Sequence, residues 1–159
     1  MVSKSLLAVL LTLALVFPAM AAGSRSTSRP PTPPTAQPTD YELGEKAVLA
    51  GDFQRALALL QKVVQDNPRN ANAWNYVGLS HRKLQHFDQS LAAYQKALAI
   101  NPDHRGANEY LGELYLKTGE LGKAWERLAK LESLCPRGCS EYDDLKKAVE
   151  AYQSAQKKN

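Results

Sequence analysis

At 159 residues, the chain has room for one small domain plus extensions. Twenty Lys and Arg stand against 16 Asp and Glu, a net charge of +4, and the acidic residues are interspersed throughout. So mild and mixed a balance makes no basic face with interleaved aromatics, which argues against a nucleic-acid partner.

The N-terminal stretch carries Lys4 and then twelve residues, Leu6 to Phe17, in which Thr12 is the only polar one; Ala19-Met20-Ala21 follows as a small-x-small site. This is the layout of a secretory signal peptide over residues 1–21, with cleavage expected after Ala21. A membrane anchor would need about 20 apolar residues. No Cys follows the run to accept a lipid. The expectation is an exported protein with no stable membrane insertion after signal removal, periplasmic if the source is a Gram-negative bacterium. Residues 22–38 read as a Pro-rich disordered linker. Five of the seventeen residues from Gly23 to Thr39 are Pro, and none is bulky and apolar. A proline-rich docking ligand is the other use of such a stretch.

Helices are expected from Thr39 onward. Thr39-Asp40-Tyr41-Glu42 has the spacing of a capping box, opening a helix to about Ala50. Gly51-Asp52 breaks it, and Asp52 caps a second, from Phe53 to about Gln65. Asn67-Pro68 ends that one, because the residue before a proline avoids the α region. Asn70 caps a third, to about Leu84, and a fourth runs from Phe87 to Ile100 before Asn101-Pro102. Asp103 is the expected cap of the fifth, to about Lys117. Thr118-Gly119 turns the chain into the sixth, from Leu121 to about Leu134. Ser140, with Asp143 at capping-box spacing, opens a seventh to about Gln156. Its Tyr142, Leu145, Val149 and Tyr152 form one apolar stripe.

The landmarks of these helices recur every 34 residues: Gly44, Gly78 and Gly112; Pro68, Pro102 and Pro136; Ala56, Ser90 and Ala124; Leu60, Tyr94 and Leu128. Small residues at a fixed place let paired helices approach, and the bulky ones around them fill the space. The central unit, with Trp74, Val77, Gly78, His81, Phe87, Ser90, Tyr94, Ala97 and Pro102, resembles the tetratricopeptide repeat, whose W-x2-L-G-x2-Y…A-x3-F…P pattern has this period. The flanking units depart from it at Asp40 and Asn108, where the family has Trp, and at Ala47, where it has Tyr. The resemblance implies an all-α solenoid: three helix-turn-helix repeats over residues 39–136 (about 37–70, 71–104 and 105–138) and a capping helix over 139–157 that covers the last apolar face.

Cys135-Pro136-Arg137-Gly138-Cys139 lies between the last repeat and the cap. In an exported protein a disulfide is the simplest use of this pair. A thiol pair that handles a soft metal or passes electrons is the alternative. His81 is read as packing, and the spacings of His81, His86 and His104 match no metal motif. No Ser-His-Asp order, phosphate-binding glycine loop or isolated carboxylate pair stands out, and the acidic residues read mostly as solvated helix faces. No catalytic residue, metal or cofactor is therefore assigned.

The family resemblance implies binding of another protein or peptide in the concave groove lined by the first helix of each repeat. By helical spacing the groove residues are Tyr41, Glu45 and Val48; Asn72, Asn75, Leu79, Arg82 and Lys83; and Glu109, Glu113 and Lys117. Some relatives grip a C-terminal carboxylate with Lys, Arg and Asn. Tyr76, Gly106 and Tyr110 stand at those positions here, so that clamp is not expected.

Overall fold

The structure, a computed structural model, describes residues 37–157. The signal peptide expected at 1–21 lies outside those residues, as does the linker apart from Gln37 and Pro38. Seven helices follow in order: α1 Asp40–Leu49, α2 Phe53–Asp66, α3 Ala71–Lys83, α4 Phe87–Ile100, α5 Arg105–Lys117, α6 Leu121–Leu134 and α7 Ser140–Gln156. No strand occurs among the described residues. The first six pair as three hairpins, and α7 packs on α5 and α6. This is the all-α solenoid with a terminal cap that the 34-residue period implies.

Local chemistry sets most of the helix ends. The capping box at Thr39 forms: its N–H donates to Glu42 Oε2 at 2.7 Å, and the Glu42 N–H donates to Thr39 Oγ1 at 3.2 Å. Asp52 accepts from the Arg55 N–H at 3.1 Å and Asn70 from the Ala73 N–H at 3.0 Å. Two caps differ from expectation. The cap of α5 is His104, whose Nδ1 accepts from the Ala107 N–H at 3.1 Å. Asp103 is held back in the turn, because its N–H donates to Asn101 Oδ1 and its carboxylate meets Lys130 on α6 at 2.7 Å. The cap of α7 is Cys139, in extended backbone, and Ser140 is already helical, with its hydroxyl on Glu141 rather than on the backbone. The disulfide from Cys135 to Cys139 holds those Cα atoms 5.7 Å apart, which fixes where the last helix begins.

Each hairpin turn places one residue in the left-handed region: Gly51 at φ 76°, Gln85 at φ 63° and Gly119 at φ 82°. A side chain there costs about 1 kcal/mol, so the central turn is built from the less suitable residue.

Packing inside the hairpins follows the small-residue positions. A Cβ at Gly78 would sit 2.6 Å from the Tyr94 ring, and one at Gly44 2.7 Å from Leu60 Cγ. Tyr94, Leu60, Ala56, Ser90 and Ala124 are fully buried. The Ser90 hydroxyl donates to the Gly78 carbonyl at 2.8 Å, so this polar small residue is satisfied within the crossing. In the third unit the glycine faces a different helix: a Cβ at Gly112 would meet Leu145 of α7 at 2.5 Å. Leu145 and Val149 are buried against Leu116, Leu128 and Leu131, with Tyr142 and Tyr152 packed alongside. Burying side chains of this size stabilises by about 1.5–3 kcal/mol each, enough to dock the cap firmly.

Two predictions follow from this packing. Gly78→Ala should destabilise by about 1–3 kcal/mol, since the buried Tyr94 ring has nowhere to move, whereas Gly122→Ala, where a Cβ meets nothing within 4 Å, should stabilise by up to about 1 kcal/mol. Paired thermal melts read the opposite signs. Cys135→Ser, which opens the bridge, should lower stability by about 2 kcal/mol or less while the circular dichroism helix signal stays unchanged.

Candidate functional site

The arrangement of the helices defines an inner and an outer side. α1 touches α3, and α3 touches α5, whereas α2, α4 and α6 make no contacts with one another. The first helices of the hairpins therefore line the concave face, and the second helices splay along the outside.

Of the residues expected on the concave face, Asn72, Lys83 and Lys117 are exposed, while Tyr41, Glu45 and Glu113 are half-buried. Val48, Asn75, Leu79, Arg82 and Glu109 are buried. Burial of Glu109 runs against the expectation that the carboxylates sit on solvated faces, and it arises where α5 is enclosed by its neighbours. Several of the polar groups are tied from one unit to the next. The Tyr76 hydroxyl donates to Glu45 Oε1 at 2.8 Å. His104 Nε2 and Asn72 Oδ1 lie 3.0 Å apart. Arg82 and Glu113 form an ion pair, and the Arg82 guanidinium carbon stands 5.5 Å from the Tyr110 ring centre. Tyr41 and Tyr76 pack with ring centres 6.3 Å apart. Burial raises the Tyr76 pKa first, and its bond to Glu45 adds to this, so it stays a neutral donor.

Two acceptors on this side lack partners. Asn75, 4% exposed, lies against Gly106 and leaves Oδ1 unbonded. Glu109, 8% exposed, has no hydrogen bond or ion pair among the described residues. Burial, and then the nearby carboxylates Glu113, Asp144 and Glu141, push its pKa up to about 8, against the pull of Arg82. Charge is graded along the inner helices. Glu109, Glu141 and Asp144 lie toward the starts of α5 and α7, whereas Arg82, Lys83 and Lys117 lie at the ends of α3 and α5, as the helix dipoles favour.

Between α3, α5 and α7 lies a cavity of about 450 Å³ lined by Arg82, Glu113, Leu116, Lys117, Ala148 and Tyr152. Sequence reasoning missed the contribution of α7, because Tyr152 had been accounted for by the apolar stripe of the cap. Tyr76 and Tyr110 were noted only as replacements for a clamp; here they form the aromatic part of the face. Cys135 and Cys139 are bridged, which leaves no thiolate for metal or redox chemistry in this state.

The sequence matches the tetratricopeptide repeat over residues 41–85 and again over 71–104. Similar solved structures include the first repeat domain of Spaghetti (RPAP3) bound to an HSP90 peptide, with TM-score 0.63, 20% identity, and 70% of this chain and 89% of that one covered. The type III secretion translocator chaperone SycD of Yersinia enterocolitica aligns with TM-score 0.67 at 15% identity, covering 74% and 83%. PcrH in complex with the chaperone-binding region of PopD aligns with TM-score 0.63 at 18% identity, covering 74% and 90%. At these identities the likeness is one of fold. No curated protein matches the sequence as a relative.

The raised pKa of Glu109 gives a prediction with a definite sign. The folded chain holds this proton more tightly than the unfolded one, so the group's contribution is intact below pH 4.5 and is lost as pH rises through about 8. Glu109→Gln should match the parent near pH 4.5 and exceed it by about 1–3 kcal/mol at pH 9. Urea unfolding at the two pH values checks this.

Proposed function

We propose that this chain, which belongs to the tetratricopeptide-repeat family, is a non-catalytic interaction module that holds a segment of another protein along the inner face of α1, α3 and α5. The observation that carries the reading is the inner face itself, where Glu109 has no hydrogen-bond or salt-bridge partner among the described residues and lies on the side that presents Tyr41, Tyr76 and Tyr110 together with exposed Asn72, Lys83 and Lys117. The Glu109 carboxylate is disfavoured by burial and by Glu113, Asp144 and Glu141, and a bound segment that brings a cation or N–H groups relieves that cost. Such a segment supplies a cationic or amide side chain near Glu109 and apolar groups against the tyrosines. Spaghetti, solved with an HSP90 peptide, and PcrH, solved with a region of PopD, support peptide capture as a use of this fold. A C-terminal carboxylate is not the ligand of choice here, since Tyr76, Gly106 and Tyr110 replace the cations and amide that would grip it.

The same reading holds the protein to be exported, on the strength of residues 1–21, and periplasmic in a Gram-negative source. A bridged cysteine pair suits an oxidising compartment.

The experiment is a photo-crosslinking map in the native cell. A benzophenone side chain is placed at Asn72 or Lys117, on the inner helices, or at Trp125, which is exposed on the outer helix α6. One common adduct at Asn72 and Lys117 and none at Trp125 is the expected outcome. An adduct at Trp125 alone would move the interaction to the outer face.

A further inference from the structure

The turn between α3 and α4 differs from its two counterparts at the residue just before the second helix. That residue is Asp52 in the first turn and Glu120 in the third, but His86 in the central one. Asp52 caps its own helix. A histidine is able to do the same, as His104 shows by accepting the Ala107 N–H on Nδ1. His86 makes no such bond, and neither does Glu120 in the third turn. Its Nδ1 lies instead 3.4 Å from Nδ1 of His81, with the ring centres 5.6 Å apart and the planes inclined at 53°.

The backbone holds the two rings in this relation. The His86 N–H donates to the His81 carbonyl at 2.9 Å, the Gln85 N–H donates to the Arg82 carbonyl at 3.0 Å, and Gln85 takes the left-handed conformation between them. The equivalent pairs in the other turns are Ala47 with Asp52 and Tyr115 with Glu120, so two facing imidazoles occur in the central hairpin alone of the three. His81 is half-buried and His86 exposed, which leaves one ring fixed and the other free to adjust.

Two neutral imidazoles facing through Nδ1 share at most one proton between two lone pairs. Nitrogen ligands at metal bond lengths of about 2.0–2.1 Å, separated as these are, subtend an angle of about 110° at an ion, the tetrahedral value. His86 is exposed, so water has access to the pair to complete the coordination of an ion.

We propose that His81 and His86 form a two-histidine site for a borderline divalent transition ion such as Zn²⁺, bound through both Nδ1 atoms and completed by water or by a partner's donor. Imidazole nitrogens suit this class of ion, whereas the carboxylate-seeking Mg²⁺ and Ca²⁺ find no cage here. Binding through both Nδ1 atoms places the N–H of each neutral ring on Nε2. Among the described residues no group of three or more His, Cys, Asp or Glu side chains converges, so the protein contributes two ligands and the ion fastens the α3–α4 turn from outside rather than building the fold.

The test is a titration of ZnCl₂ into the disulfide-bridged chain, followed by calorimetry and by imidazole ¹⁵N resonances. The variant is His86→Asn, because asparagine is a good cap and a poor zinc ligand, so the hairpin is kept while the site is lost. The expected result is saturable binding of one ion per chain. The Nδ1 resonances of His81 and His86 should shift together while His104 stays still, with a rise in melting temperature. The variant should show none of these changes. Absence of saturable binding, binding unaltered in His86→Asn, or a shift confined to Nε2 would each overturn the proposal.

Discussion

The close approach of two helices at a residue with no side chain governs this molecule. At Gly78 the backbone of α3 lies against the ring of Tyr94, and at Gly44 the backbone of α1 lies against Leu60. Neither crossing tolerates even a methyl group without displacement of a fully buried side chain. In the first two units, 34 residues apart, this contact closes the hairpin itself. The last unit needs an outside helix to complete the pattern, and α7 supplies Leu145 to the place where Gly112 waits. The disulfide at Cys135 and Cys139 fixes where that helix starts.

What the hairpins leave on the inner side is a polar face that is also a seam. Tyr76 to Glu45, His104 at the cap of α5 to Asn72, and Arg82 to Glu113 each join one inner helix to the next. These contacts set how the inner helices lie against one another, and they occupy much of the hydrogen-bonding capacity that the sequence pattern assigned to a ligand. The proposed binding chemistry lies in what the seams do not satisfy: Glu109, the exposed faces of the tyrosines and the lysines at the helix ends. A buried carboxylate whose pKa is pushed to about 8 is a standing cost to the free protein. Relief of that cost by a cationic group is where selectivity for a partner would arise.

The fold was legible because its determinants are periodic and local. Thr39, Asp52 and Asn70 cap the helices their spacing marks, and Gly78 and Tyr94 meet as the register requires. The errors came where a neighbour decides. Asp103 lost the cap of α5 because Lys130, on another helix, claims its carboxylate. Cys139 displaced Ser140 because a covalent bond fixes the chain one residue earlier. Helical spacing placed Asn75, Arg82 and Glu109 on the inner helices but carried no information on what covers them, and burial depends on the adjacent unit and on α7. The facing of His81 and His86 was invisible for the same reason: a separation of five residues across a turn fits no helical or metal-motif spacing until the left-handed residue at Gln85 folds one ring back on the other.

The most direct test of the account is a ¹⁹F spectrum of the tyrosine-labelled protein, taken as a segment of its captured partner is added. The seven tyrosines report from distinct places: Tyr41, Tyr76 and Tyr110 from the inner face, Tyr94 from the core, Tyr115 from the edge of the core, and Tyr142 and Tyr152 from the cap. The account predicts saturable shifts at Tyr41, Tyr76 and Tyr110, with Tyr94 and Tyr142 unmoved. Shifts confined to Tyr142, or binding that leaves all three inner tyrosines unchanged, would contradict it.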